Sequence, residues 1–305
     1  MVKENLLHFA HLLKMKMQVK KPFRGRRILL KIADSIIGEP KRAMQIKTIY
    51  GFKIKIDPVN DNGVEKSIYY TGTYEAGTLY ILDNLLNKGD NFFDIGSNIG
   101  LMGIYAAHKV GDNGTVHAFE PEPDTFKILK ENCTINKLKN IRINNFALGD
   151  NEGTANIYPN LDINRGASSL VRSDGSIGKK VTITTLDKYL TQVKINSIRL
   201  IKIDIEGYEF KMLKGAIELL RSENAPIICI EYSKKVQRNE RLEDIYHFLK
   251  NVNAYRIFKF MLSKEKISFL TEVFFEEQMP EHDNVFCFLE SHLSDINSSI
   301  FNLKN

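Results

Sequence analysis

From residue 91 onwards, short apolar segments alternate with longer segments in which apolar residues recur three and four positions apart. Short apolar runs bounded by turn residues predict buried strands, and the three-to-four spacing predicts helices. Strands alternating with helices indicate a parallel sheet that is covered on both faces. The expected strands are 91–95, 115–119, 141–148, 198–205 and 226–231, and the expected helices are 101–110, 124–136, 186–190, 210–221 and 242–252.

The regions on either side of this core follow other patterns. Residues 48–57 alternate as a strand does, and residues 76–86 have helical spacing. Two strands, 154–158 and 181–184, are expected around a polar loop. Three strands near the end, 255–260, 267–270 and 285–289, have no helix between them, which indicates antiparallel pairing at the edge of the sheet. The pattern predicts an α/β fold, a doubly wound and mostly parallel sheet with an antiparallel C-terminal strand.

The first 45 residues are expected to form a helical arm on a single α/β domain, residues 46–305. Helices are predicted over 6–17 and 27–37, and Leu6, Phe9, Leu13 and Met17 share one face of the first. The arm holds eleven Lys or Arg against three Asp or Glu, a net charge of +8, so the other residues carry −2 of the total +6. An apolar stripe beside cations is typical of a helix on an anionic membrane surface, although a helix packed on the domain fits the pattern equally well.

The composition is that of a soluble globular protein, with 43% apolar and 26% charged residues. No apolar run is long enough to span a membrane, and His8, His11, Lys14 and Lys16 interrupt the N-terminal apolar stretch, which argues against a secretory signal. Three widely separated cysteines form no metal-type pair and favour a reducing compartment. We therefore expect a cytoplasmic protein, with a peripheral position on the inner face of the membrane as an open alternative, and no metal site. The slightly acidic body argues against nucleic acid as a partner.

The first candidate site is the glycine-rich turn after the strand 91–95. It contains the candidate cofactor-binding residues Asp94, Gly96, Ser97, Asn98 and Gly100. Such a turn occurs in nicotinamide, flavin and methyl-donor sites, and a plain tight turn gives the same pattern. Asp94 separates these cofactors, because a carboxylate repels a dinucleotide pyrophosphate but attracts the α-ammonium and sulfonium of S-adenosyl-L-methionine.

The next two strands end in further candidate cofactor residues. Glu120, followed by Pro121, could accept hydrogen bonds from the hydroxyls of an adenosine ribose, or could cap the following helix. Asn145, Phe146 and Ala147 close the third strand, where an adenine ring would lie, although Phe146 could equally belong to the core.

The fourth strand carries three charges where a central strand should be apolar. Lys202, Asp204 and Glu206 alternate with isoleucines near its carboxyl end. If this strand is buried, its charges must pair with one another or face a cleft. The alternative is an edge strand that has one face exposed to water. The flanking strand-helix units place this strand centrally, so we expect catalytic residues here, with Glu231 on the next strand in reserve.

With these motifs the sequence resembles the FkbM family of S-adenosyl-L-methionine-dependent methyltransferases. The resemblance runs from residue 74 to 231, and its most specific part is Lys202-Ile-Asp204-Ile-Glu206-Gly-Tyr-Glu209. It implies a Rossmann-like, class I methyltransferase fold with a seven-stranded sheet. It also implies O-methylation, often of sugars, lipids or secondary metabolites, and cofactor or catalytic positions at Asp94, Glu120 and Asp204.

In the mechanism we expect, Asp204 or Glu206 deprotonates a hydroxyl, and Lys202 orients that base or stabilises oxyanion character. The acceptor is a small molecule, sugar or lipid. An RNA methyltransferase that holds phosphates with the basic arm is the alternative, since the segment after Glu120 also resembles enzymes that methylate transfer RNA. An acidic cleft would repel that substrate. The sequence does not specify the oligomeric state.

Overall fold

The structure is a computed structural model and describes residues 2–19, 25–158, 178–195, 197–234 and 244–302. Helices in these ranges are α1 Val2–Val19, α2 Arg26–Ile37, α3 Val64–Thr71, α4 Ala76–Leu85, α5 Leu101–Val110, α6 Pro123–Ile135, α7 Leu186–Gln192, α8 Glu209–Lys214, α9 Ile217–Arg221, α10 Ile245–Asn253 and α11 Glu290–Leu293. Strands are β1 Met44–Lys47, β2 Lys53–Ile56, β3 Asn91–Ile95, β4 Thr115–Phe119, β5 Ile141–Asn144, β6 Ala147–Leu148, β7 Gly153–Ile157, β8 Lys179–Thr184, β9 Leu200–Ile203, β10 Ile227–Ser233, β11 Arg256–Phe260, β12 Leu270–Val273 and β13 His282–Phe288.

The central sheet confirms the doubly wound α/β fold class. Its strand order is β12-β11-β13-β10-β9-β3-β4-β5. Neighbouring strands from β10 to β5 are parallel, and β13 is antiparallel to both β10 and β11. The sheet has eight strands rather than seven, and β13 lies inside it rather than at its edge. The crossover through α10 places β11 one strand away from β10, and β13 fills that gap in the opposite direction.

Helices cover both faces of this sheet. Side chains from α4, α5 and α6 pack on one face, and side chains from α7, α8, α9 and α10 pack on the other. Adjacent strand residues therefore point into different cores, as Phe92 and Phe93 do on β3. Burial on both faces explains why these strands are almost continuously apolar.

The expected third strand, 141–148, is divided between two sheets. β5 ends at Asn144, and β6 joins a separate three-stranded sheet in the order β6-β8-β7. Residues 145 and 146 make the break and turn towards the carboxyl end of β4. The polar loop expected between 158 and 181 lies mostly outside the described residues, as does the start of the helix expected at 242.

Two other expected elements are interrupted. Residues 48–57 form a turn and β2, which pairs with β1 as a hairpin. The helix expected over 210–221 is broken into α8 and α9 at Gly215. A Cβ at Gly215 would lie 1.8 Å from the carbonyl oxygen of Gly149, so only glycine fits at this break. The helix α3 has no counterpart in the sequence expectations.

The arm helices α1 and α2 pack on the domain. Leu7, Ala10, Ala33 and Ile37 are buried in the core that also holds α4 and α5. The expected apolar stripe is divided, because Met17 is buried and Leu13 half-buried while Leu6 and Phe9 are exposed. In the described part of the chain, no helix is both long enough and apolar enough to cross a membrane.

Candidate active site

A cleft of about 1090 Å³, including its open mouth, lies at the carboxyl ends of β3, β4, β9 and β10. This is the edge where open parallel sheets bind ligands. Most of the residues expected at the site line it: Asp94, Gly96, Ser97, Asn98, Glu120, Pro121, Phe146, Ala147, Lys202, Asp204, Glu206 and Glu231. Gly100 and Asn145 are not among the lining residues. Gly100 begins α5 with a φ of 95°, and Asn145 donates hydrogen bonds to the carbonyls of Glu120 and Pro121.

The turn after β3 is pressed against the end of β9. Gly96 has a φ of 83°, and a Cβ there would lie 1.8 Å from the carbonyl oxygen of Asp204. The amides of Gly96 and Ser97 both donate to the carbonyl of Phe119, which closes the turn on β4. Only glycine combines this backbone angle with this approach. The turn therefore brings the carboxyl ends of three strands together.

Asp94 is the most unusual side chain of the cleft. It is fully buried, and its carboxylate oxygens make no well-aligned hydrogen bond among the described residues, although Ser97 and the amide of Gly103 lie close enough to lower its pKa. Burial raises the pKa of Asp94 to about 6, although the charge of Lys202 opposes the shift. A buried acceptor pair that the protein leaves unsatisfied is suited to a ligand with positively charged donors.

Glu120 is held at the end of β4 by two backbone amides. The amide of Asn98 donates to Oε2 at 2.9 Å, and the amide of Glu122 donates to Oε1 at 2.9 Å. Asn98 adopts a φ of 49°, so its backbone is turned towards the carboxylate. Burial raises the pKa of Glu120 to about 8, against the effect of these two bonds. Each oxygen keeps a lone pair that can accept a ligand hydroxyl.

The charges of the fourth strand are paired, as buried charges must be. Lys202 is buried, and its Nζ donates to Oδ2 of Asp204 at 2.9 Å. Burial alone would raise the pKa of Asp204, but the positive charges of Lys202 and Lys264 hold this pKa at about 2. Asp204 is therefore anionic at neutral pH and a weak proton acceptor.

Glu206 does not lie on the strand, and Asp204 follows its last residue, because β9 ends at Ile203. It lies in the loop to α8 with a φ of 54°, exposed at the mouth of the cleft. Glu209 shapes this loop by accepting hydrogen bonds from the amides of Ile205 and Gly207. Although the residue reaches solvent, desolvation by the surrounding cleft walls, followed by the negative charges of Asp204 and Glu231, raises the pKa of Glu206 to about 8.

One side of the cleft contains charged residues that were not predicted from the sequence. Lys264 lies in the turn between β11 and β12, and its Nζ is 2.9 Å from Oε1 of Glu75 and 2.6 Å from Oε1 of Glu231. Glu75 is buried and also accepts a hydrogen bond from Asn284 at 2.8 Å. Tyr74 lines the cleft beside it. A glutamate in the left-handed region, as Glu75 is, has no signature in the sequence, and nothing local marks Lys264.

The cleft as a whole fits S-adenosyl-L-methionine. Buried carboxylates outnumber cations in it, the unsatisfied oxygens of Asp94 suit an ammonium, and the glycine turn leaves room for a close backbone approach. Phe146, which packs edge-on against Phe119 with ring centroids 5.6 Å apart, offers an aromatic surface next to Glu120. These residues could hold an adenosine and a cationic amino-acid group together.

Known proteins with similar sequences are methyltransferases. The model of the methyltransferase FkbM domain matches residues 94–258, more than half of the chain. The hexuronic acid methyltransferase AglP of Haloferax volcanii is 30% identical over 51% of this chain and 62% of its own length. The 31-O-demethyl-FK506 methyltransferase FkbM of Streptomyces tacrolimicus is 28% identical over 43% of this chain and 60% of its own. A tRNA (guanine(37)-N(1))-methyltransferase of Pediculus humanus subsp. corporis is 44% identical over 54 residues, 18% of this chain and 11% of its own. The chain thus spans less than two thirds of each of these relatives.

Proposed function

Since the chain belongs to the FkbM methyltransferase family, we propose that it methylates a hydroxyl group of a small-molecule, sugar or lipid acceptor with S-adenosyl-L-methionine. The observation that carries this proposal is the buried, unsatisfied carboxylate of Asp94 beside Glu120 at the carboxyl ends of adjacent strands. The relatives named for a hexuronic acid and for 31-O-demethyl-FK506 support an acceptor of this kind.

The residues of the cleft divide the binding of this cofactor between them. Asp94 would hold the α-ammonium, Glu120 would accept hydrogen bonds from the ribose hydroxyls, and Phe146 would contact the adenine. When bound, S-adenosyl-L-methionine supplies an electrophilic methyl group on a sulfonium that leaves as a neutral thioether. The protein then has to align the acceptor oxygen with that methyl group and remove the hydroxyl proton.

Glu206 is the better base of the two that the sequence suggested. A general base works best when its pKa is near the operating pH. The pKa of Glu206 is raised to about 8, whereas that of Asp204 is held at about 2. Asp204, fixed by Lys202, instead accepts a hydrogen bond that orients the acceptor. Glu231 remains the reserve base, but its Oε1 is paired with Lys264.

The function is tested by binding and turnover in one preparation. Calorimetry of the purified chain should show binding of S-adenosylhomocysteine and none of NAD. A screen of uronic acids, neutral sugars, macrocyclic alcohols and lipid-linked alcohols should then reveal formation of S-adenosylhomocysteine from the methyl donor. Binding of NAD without binding of S-adenosylhomocysteine would exclude the proposal.

The RNA alternative has one observation in its favour, the short match to a transfer-RNA methyltransferase. The carboxylates around the cleft oppose it, because they repel a phosphate backbone. Transfer of label from the methyl donor to bulk transfer RNA, in the absence of any small acceptor, would reverse this ranking.

For the arm we propose contact with an anionic membrane surface from the cytoplasmic side. Leu6 and Phe9 remain exposed on α1, and Ile28 and Ile32 remain exposed on α2 beside cations such as Lys31. Sedimentation with anionic but not neutral vesicles, weakened by salt, is the expected result. Because deleting the arm would expose core residues, the matched variant is Leu6→Ser with Phe9→Ser.

A further inference from the structure

The turn between β11 and β12 concentrates exposed apolar side chains at the rim of the cleft. The segment from Met261 to Phe269, named here the rim hairpin, has four large apolar residues with exposed fractions between 48% and 65%: Met261, Leu262, Ile267 and Phe269. Eleven large apolar residues are exposed in the described part of the chain, so four of them fall within nine residues. Such a concentration marks a binding surface more often than isolated exposed residues do.

The topology of the sheet places the rim hairpin beside the cleft. β11 is parallel to β10, since both are antiparallel to β13, so the end of β11 lies at the edge where the cleft opens. Phe260 and Leu270 pair in the last rung of the hairpin strands and are buried. Met261 donates a backbone hydrogen bond to Phe269, and in this next rung the side chains face the opposite way, to solvent.

The tip of the rim hairpin is fixed to the cleft by Lys264. Its ammonium pairs with Glu75 and Glu231, which both line the cleft, and its carbonyl accepts hydrogen bonds from the amides of Gly77 and Thr78. A Cβ at Gly77 would lie 2.5 Å from the carbonyl oxygen of Lys266, so α4 leaves only glycine-sized space for the tip. The rim hairpin is thus fixed beside the cleft, and its four exposed apolar side chains lie outside the cleft lining.

We propose that the rim hairpin binds the apolar portion of an amphiphilic acceptor whose hydroxylated head enters the cleft. This inference rests on the proposed function. The cleft wall nearest to the hairpin, formed by Glu75, Glu231 and Asp204, is charged and suits hydroxyl groups rather than hydrocarbon. An amphiphilic acceptor would place its hydroxylated head against the charged wall inside the cleft and its apolar portion against the rim hairpin outside.

Charge selects this occupant over an anionic membrane. Within the rim hairpin the exposed ions are Glu265 and Lys266, whose charges cancel, and Lys264 is already paired inside. The N-terminal arm, by contrast, carries a net charge of +8. A neutral apolar surface attached to a polar cleft fits the tail of a single acceptor molecule.

The test compares two probes that share one head group. Octyl β-D-glucoside, below the concentration at which it forms micelles, and methyl β-D-glucoside are titrated into the chain saturated with S-adenosylhomocysteine. We expect the octyl compound to bind about tenfold tighter or more, because part of its chain leaves water. The combined variant Met261→Ser, Leu262→Ser, Ile267→Ser and Phe269→Ser should lose this preference and keep its affinity for S-adenosylhomocysteine.

The chain offers a matched control in Phe274 and Phe275, which are 59% and 64% exposed. They follow β12, which runs away from the cleft, and lie about 17 Å from the rim at the usual rise of a strand. Phe274→Ser with Phe275→Ser should leave the octyl preference intact.

Four outcomes would overturn the inference. Equal binding of the two probes, or an unchanged preference in the rim variant, removes the apolar subsite. Sedimentation of the chain with neutral phosphatidylcholine vesicles that only the rim variant loses would make the membrane the occupant. A dimer in gel filtration that only the rim variant dissociates would make it a second copy. Absence of S-adenosylhomocysteine binding in the unaltered chain instead overturns the proposed function, and the two probes can still be compared.

Discussion

Replacing Asp94 by Asn should make the protein more stable and less able to bind its cofactor. The fold buries this carboxylate with both oxygens unsatisfied, and burial raises its pKa from an ordinary 3.8 to about 6. A pKa difference of about two corresponds to about 3 kcal/mol of unfolding free energy that ionisation of Asp94 removes at neutral pH. Asn has nearly the same shape and no charge, and Lys202 keeps Asp204 as its partner.

The sign of this effect depends on pH. Between pH 3.8 and about 6 the folded state holds a proton on Asp94 that the unfolded state releases, so the unaltered protein gains stability as the pH falls through this window. The advantage of Asp94→Asn should therefore be about 3 kcal/mol at pH 8 and vanish near pH 4. Urea unfolding at several pH values measures it.

Cofactor binding should change in the opposite direction. The variant loses charge-assisted hydrogen bonds to the ammonium, at about 1.5–3 kcal/mol each, so calorimetry should show S-adenosylhomocysteine binding about 10–150-fold weaker. Asp112→Asn, at an exposed loop position, is the control and should change neither quantity. A variant that is less stable than the unaltered protein at pH 8, or that binds S-adenosylhomocysteine equally well, would refute the reasoning.

Other variants probe the remaining parts of the site. Above pH 8, where the carboxylate of Glu120 is ionised, Glu120→Gln should weaken S-adenosylhomocysteine binding by about 1.5–3 kcal/mol in calorimetry, whereas Glu131→Gln on the exposed face of α6 should not. Glu206→Gln should keep this affinity for S-adenosylhomocysteine but lower turnover about 10²–10⁴-fold. In the unaltered enzyme, kcat/KM should rise with pH up to about 8, because the carboxylate of Glu206 is then deprotonated. Unchanged turnover in the variant would show that another residue is the base. Gly96→Ala should lower the unfolding free energy by about 3 kcal/mol or more, because its Cβ meets backbone at 1.8 Å. Gly25→Ala, in the left-handed region with a φ of 97° and open space around it, should lose only about 1–2 kcal/mol in the same denaturation.

The sequence predicted the elements whose surroundings are uniform along their length. The predicted bounds of β3, β4 and α5 agree with the structure, because each lies in a two-sided core that requires a regular apolar pattern. The charges at Lys202 and Asp204 stood out against that pattern and do lie in the cleft, paired with each other. These two residues could be predicted as candidates because they depart from the apolar pattern of a buried strand.

The rest depends on contacts between distant parts of the chain. Glu75 and Lys264 are 189 residues apart in sequence and meet only because β11 and α4 converge on the same edge of the sheet. Residue 215 likewise has to be glycine because the backbone of Gly149 approaches it closely, and this contact cannot be predicted from local helix propensity. Side chains that depend on tertiary packing of this kind leave no periodic signal.

The position of β13 between β10 and β11 has a consequence for the order in which the protein can be made. During synthesis β10 leaves the ribosome long before β13, so its outer edge has no strand to pair with until residues 282–288 emerge. β11 and its hairpin reach the rest of the sheet only through β13, and Lys264 cannot meet Glu75 and Glu231 before then. Pairing across such a sequence separation is slow, and an open strand edge invites aggregation in the meantime. The side of the cleft at Glu231 and Lys264 is thus completed last, after the side formed by β3, β4 and β9, which all precede it.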